Sequence, residues 1–148
     1  MKKFRFFLAA LLCIVTATIS KADDVMVPVN QLPATVKTFV AQNFKGKSIA
    51  YASLDRDFGG GKYEVRLNDG TEVDFDRRGN WDKVDCNYTP VPAALIPAPI
   101  AKYVKANYNG TKVVKIDKEH YGYEIKLNNG MELKFNKGGQ LIGMDIDD

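Results

Sequence analysis

The stretch "YEVRLNDGTEVDFDRRG", residues 63–79, returns sixty positions later as "YEIKLNNGMELKFNKGG", residues 123–139. In both, apolar residues alternate with charged ones on either side of an Asn-Asp-Gly or Asn-Asn-Gly tripeptide, the pattern of two half-buried strands joined by a hairpin loop. A two-residue Asp69-Gly70 turn would set Val65 opposite Asp74 and mix apolar with charged side chains on one face. A three-residue loop from Asn68 to Gly70, with Gly70 left-handed in a bulge, removes that conflict. It places Leu67 opposite Thr71, Val65 opposite Val73 and Tyr63 opposite Phe75 on a buried face. In the second copy the pairs are Leu127 with Met131, Ile125 with Leu133 and Tyr123 with Phe135. The other face then pairs Arg66 with Glu72, Lys126 with Glu132 and Glu124 with Lys134.

The repetition extends upstream. Residues 27–46, "VPVNQLPATVKTFVAQNFKG", align with residues 91–110, "VPAALIPAPIAKYVKANYNG". Val36, Phe39, Val40, Asn43 and Phe44 match Ile100, Tyr103, Val104, Asn107 and Tyr108, a spacing that lays one stripe along a helix. Pro33 and Pro97 suit a first helical turn, Pro99 is tolerable there, and Gly46 and Gly110 are read as left-handed C-terminal caps. "SIAYASLD" and "KVVKID" read as strands after the helices, and "WDKVDC" and "LIGMDID" as strands after the repeated hairpins. Trp81 and Val84 have opposite parity, which calls for a bulge between them. The fold class is α+β: a tandem repeat of a helix followed by a four-stranded antiparallel sheet, in two layers. Its divisions are 27–86 for the first repeat, 87–90 for a linker and 91–148 for the second. Side by side, the two units would join into a larger sheet with a polar outer face.

The chain opens "MKKFRFFLAALLCIVTATISKADD", a basic start, a short apolar run and a small-residue site, which reads as a signal peptide over residues 1–22. Leu12 before Cys13 argues against a lipid anchor at that cysteine. Loss of residues 1–22 removes four cations, so the whole-chain net charge of +3 becomes −1. A broad positive field for nucleic acid is thereby excluded, and no stable membrane insertion is expected after cleavage. Cys86 is then the remaining cysteine, so no intramolecular disulfide is expected. A periplasmic or secreted location follows.

Taken together, Tyr63, Glu64, Val65, Leu67, Asp69, Gly70, Val73, Phe75, Asp76, Gly79 and Trp81 resemble the bacterial PepSY-like proteins, a β-lactamase-inhibitor-like family, many of them exported. In the second copy Tyr123, Glu124, Ile125, Leu127, Gly130, Leu133, Phe135, Gly139 and Leu141 carry the likeness. It implies a PepSY-like or BLIP-like fold and a non-catalytic binding or inhibitory role, and it transfers no functional residue. Asn129, Asn136 and Leu141 replace Asp69, Asp76 and Trp81, so the first copy is expected to carry more of any specific surface.

No catalytic constellation is legible. His120 reads as a solvated turn residue, and Cys86, without a histidine beside it, as a plain strand cysteine. Asp74 and Asp76 share a strand face and invite a weak calcium site, yet without the spacing of a calcium loop they read as solvated carboxylates. "FGGGK" lacks the phosphate-loop spacing. Neither a cofactor nor a metal is expected. The candidate partner-binding residues are Phe58, Arg66, Asp74 and Trp81, with Tyr51 and Tyr88 extending an aromatic patch. The outer row of Lys62, Glu64, Arg66, Glu72, Asp74 and Asp76 sums to −2, against zero for Glu124, Lys126, Glu132 and Lys134, an asymmetry suited to orienting a partner. The sequence thus predicts an exported non-catalytic module that binds an envelope protein as an inhibitor or sensor. The alternative is a small-ligand carrier with a pocket between helices and sheet.

Overall fold

The computed structural model describes residues 24–56 and 60–146. The signal-peptide reading, Asp57, Phe58 and the last two residues lie outside the described residues. Among those described, no helix is long and apolar enough to cross a membrane.

The hairpin reading is borne out in detail. Strands β3 (Lys62–Leu67) and β4 (Glu72–Asp76) pair Tyr63 with Phe75, Val65 with Val73 and Arg66 with Glu72. Gly70 has φ +89°, and the Leu67 N–H donates to the Thr71 carbonyl at 2.8 Å. Strands β7 (Gly122–Leu127) and β8 (Met131–Asn136) repeat the register, with Tyr123 opposite Phe135 and Ile125 opposite Leu133.

The helices α1 (Ala34–Asn43) and α2 (Ala98–Asn107) bury Val36 and Val40, and Ile100 and Val104, respectively. Two details differ from expectation. Pro33 and Pro97 are the N-cap residues, one position ahead of the first turn, while Pro99 does fall within it. The helices end at Phe44 and Tyr108 as C-caps, and Gly46 and Gly110, left-handed at +80° and +85°, lie two residues farther on. There they close a tight turn in which the Lys47 N–H donates to the Phe44 carbonyl.

The remaining strands are β1 (Val25–Met26), β2 (Ile49–Asp55), β5 (Trp81–Asp85), β6 (Val113–Glu119) and β9 (Leu141–Ile146). Among the described residues, nine strands form one antiparallel sheet in sequence order, β1 to β9, so the two expected four-stranded sheets are not separate and the two units do join side by side. β5 pairs directly with β6, setting Val84 opposite Ile116. Merging the sheets protects both inner strands, whereas separate sheets would leave four open edges. β1 is an extra edge strand, with Val25 opposite Leu54.

The expected bulge exists. Phe75 pairs with Trp81 and Asp74 with Lys83, so Asp82 is the additional residue and Trp81 and Val84 share a face. Ile142 does the same in β9. Both helices cover one side of the sheet, where Phe39 meets Phe75 edge-on at 5.3 Å and Tyr103 meets Phe135 edge-on at 5.4 Å. Val65, Val73, Phe75, Val84, Ile116, Ile125, Leu133 and Phe135 are buried in this layer. Each contributes on the order of 2 kcal/mol through loss of apolar surface from water.

Candidate functional site

Strand alternation sends every second side chain to the far side of the sheet, away from both helices. Residues facing one another across strands share a side, so the register fixes membership: Tyr51 with Arg66, Ser53 with Glu64, Glu64 with Asp74, Asp74 with Lys83, and Lys83 with Asp117. The result is a charged outer surface running across the strands.

Its charges hold one another in place. Arg66 is ion-paired with Glu72, whose other oxygen takes the Lys83 ammonium at 2.7 Å. Lys62 reaches Glu64 at 2.9 Å and Asp74 at 3.2 Å. Farther along, Lys115 meets Asp117 at 3.1 Å and Lys134 meets Glu124 at 3.7 Å. Glu124 also accepts the Tyr121 hydroxyl at 3.0 Å. Exposed pairs of this kind contribute little to stability singly. Linked, they fix long side chains that would otherwise roam.

Asp74 is buried even though it points to the outer side. It lies opposite Glu64 and Lys83, with the Lys62 ammonium on its Oδ2. Burial pushes its carboxyl above the usual range, against the pull of Lys62 and Lys83, and its Oδ1 lacks a hydrogen-bond partner. Burial raises Asp117 in the same way. Glu72 goes down instead, because the Lys83 hydrogen bond and the Arg66 charge outweigh its desolvation.

The expected site residues divide between the two sides of the sheet. Arg66 and Asp74 lie together on the outer face, while Trp81, opposite Phe75, lies on the helix side. The aromatic patch expected from Trp81, Tyr51 and Tyr88 is therefore not assembled: Tyr51 faces outward beside Arg66, and Tyr88 stands exposed in the turn after β5. Tyr51 is 46% exposed, a large ring amid the charged surface. Its facing was readable in the alternation of Tyr51, Ser53 and Asp55 against Ala52 and Leu54.

On the helix side, Trp81 floors an open cleft of about 550 Å³ beside α1, lined by Thr35, Thr38, Phe39, Gln42 and Lys118. The Lys118 ammonium sits 3.8 Å from the centre of the indole ring, a cation–π contact. Burial lowers the Lys118 pKa, opposed by Asp82 and Asp76. The sequence reading missed this contact because it ended the strand at Asp117, whereas β6 runs on to Glu119.

The remaining candidate chemistry stays dispersed. Cys86 is buried, with its thiol pushed up by desolvation. Its N–H donates to the Val114 carbonyl, whereas exposed His120 lies six residues along, in the turn after β6, about 20 Å away at strand rise. Asp76 accepts from the Arg78 and Asn80 N–H groups and closes its own turn. Among the described residues, no three or more His, Cys, Asp or Glu side chains gather as metal ligands.

Comparison with known proteins gives these surfaces a context. The family model described as "Putative beta-lactamase-inhibitor-like, PepSY-like" matches residues 18–58 and 61–143. A Bacteroides vulgatus crystal structure, "a putative periplasmic protein of unknown function", is 38% identical with a TM-score of 0.79, covering 83% of this chain and 99% of that one. A Bacteroides thetaiotaomicron structure, "a putative calcium-regulated periplasmic protein", is 44% identical with a TM-score of 0.79, covering 83% and 97%. A second B. vulgatus structure, "a putative periplasmic protein from DUF2874 family", is 38% identical with a TM-score of 0.79, covering 85% and 99%. A search of curated proteins finds no match. Of the periplasmic or secreted location read from the sequence, the periplasmic alternative agrees with the descriptions of all three structures, and the match across nearly all of the described chain places the protein in the PepSY-like, β-lactamase-inhibitor-like family.

Proposed function

We propose that the protein is a non-catalytic periplasmic binding module that presents the outer face of its sheet to a cell-envelope protein, as an inhibitor or sensor. The observation that supports this reading is the outer face itself, which no helix among the described residues covers, with exposed Tyr51 set among the Arg66–Glu72–Lys83 charges. Side chains already fixed by one another lose little freedom on docking, which lowers the cost of association. A charge pattern selects a partner and its orientation, and an exposed tyrosine supplies a contact of the kind that dominates interfaces. Calcium is not part of the proposal, since Lys62 engages Asp74 and Asp76 closes a turn.

A second reading is a small-ligand carrier using the cleft over Trp81 and Lys118, favoured by its volume and its aromatic floor. Because Arg66 and Trp81 lie on opposite sides, single substitutions separate the two. Affinity capture from an envelope fraction should retain a defined protein with wild type and with Trp81→Ala. Tyr51→Ala and Arg66→Ala should weaken that capture about tenfold or more each. Loss with Trp81→Ala alone, the fold remaining intact, would favour the cleft instead.

A further inference from the structure

The two ends of the sheet differ. β1 has two residues, and Pro28 follows two positions after it, so that edge offers little backbone for pairing. β9 is six residues long and, among the described residues, has no strand along its outer edge. Its counterpart within the chain is β5, the strand after the first hairpin pair, with the same bulge one residue in. β5 shows what such an edge accepts: β6 adds to it antiparallel, setting Val84 opposite Ile116. Val84 and Cys86 are then 0% and 4% exposed, whereas the corresponding Met144 and Ile146 of β9 are 58% and 63% exposed.

The backbone points the same way. Cys86 donates its N–H across the filled joint to Val114 at 2.9 Å. The corresponding Ile146 N–H, with no strand beyond it, is taken by the Asp145 side chain, also at 2.9 Å. Strand alternation directs the Met144 N–H and carbonyl outward with those of Ile146.

We propose that β9 is a pairing edge for a second copy of this chain, joined to that copy's β9 across a two-fold axis at Met144. Centred there, the two Met144 residues form a hydrogen-bonded antiparallel pair, and Asp145 falls opposite Gly143, with no like charge facing it. Centring on Asp145 would oppose two carboxylates, a destabilising arrangement. The chosen register gathers Met144 and Ile146 of both copies on the helix side, as Val84 and Cys86 are gathered in the filled joint. With β1 blunted, head-to-tail addition finds no comparable edge, so the assembly closes as a dimer.

Sedimentation of the protein, purified as the cell processes it, should show a concentration-dependent dimer, and Met144→Lys and Ile146→Lys should abolish it with unchanged circular dichroism. A Met144→Cys variant should cross-link to itself under mild oxidation at least ten times faster than Met26→Cys on the opposite edge. Facing α-carbons in such a pair lie about 5.5 Å apart, within disulfide reach. A monomer at every concentration, with Met144→Cys no faster than Met26→Cys, would overturn the proposal. So would a dimer unaffected by both lysine substitutions.

Discussion

Gly79 lies directly beneath Thr35: a β-carbon at Gly79 would overlap the Thr35 side chain, whose hydroxyl donates to the neighbouring Arg78 carbonyl at 3.2 Å. The first helical turn is thereby seated on the β4–β5 turn. The second half uses the same approach with different chemistry, Gly139 against Pro99, where a β-carbon would come 2.5 Å from the ring.

These approaches rank four glycine-to-alanine changes. Gly46 and Gly110 have left-handed backbone but nothing within 4 Å of an added β-carbon, so alanine should cost about 1 kcal/mol from strain alone. Gly79→Ala adds a clash that Thr35 can relieve by surrendering its hydrogen bond, and should cost more than about 2 kcal/mol. Gly139→Ala should cost at least as much, because a proline ring cannot rotate away. Urea denaturation of the four variants checks the order.

Asp69 predicts a feature of the acid limb of stability. Burial pushes its carboxyl up, but the Lys47 ammonium at 2.5 Å and the Thr71 N–H more than offset this and hold it at about 2, below the ordinary 3.8. A depressed carboxylate stabilises the fold above its unfolded pKa and loses that contribution as pH falls through the folded value. The pair is about a third exposed, so the contribution is about 1 kcal/mol or less. Asp69→Asn should flatten the stability profile between about pH 4 and about pH 2.

Asp74 has the opposite sign. Its raised pKa means that the folded state disfavours the carboxylate, so its ionisation weighs against the fold as pH rises through the folded pKa. Asp74→Asn should therefore gain on wild type in denaturation midpoints as pH rises above the ordinary carboxylate value of 3.8. A difference independent of pH would show that the shape of the side chain, not its charge, decides its effect.

Trp81 is the one tryptophan in the chain, so its fluorescence reports on the cleft. Lys118→Ala removes the ammonium over the ring and opens it to water. The emission should shift to the red, with a stability loss of about 0.5–1 kcal/mol. An unmoved spectrum would mean that the lysine does not cover the indole in solution.

Much of this fold was legible because the hairpin register obeys a parity rule. Val65 can pair with Val73 on an apolar face only if the loop has three residues, and the opposing parities of Trp81 and Val84 require the bulge that Asp82 supplies. The joining of the two units into one sheet follows from their side-by-side placement, but the strands that meet were less legible, because β5–β6 pairing joins segments whose local patterns resemble other edges. The candidate site suffered from incomplete facing. Arg66 and Trp81 are both candidates for one binding surface, but the bulge turns Trp81 to the helix side. Lys118 escaped notice because no local pattern distinguishes a lysine over an indole from one in solvent.

A partner is expected on the outer side of the sheet, away from the helices. The most direct measurement is photo-crosslinking in living cells, with a photoreactive residue at Tyr51 on the outer face or at exposed Lys37 on α1. A discrete protein adduct is expected from position 51, absent from position 37 and reduced by Arg66→Ala. An adduct from position 37 alone, or none from position 51 in cells that express the protein at its native level, would contradict it.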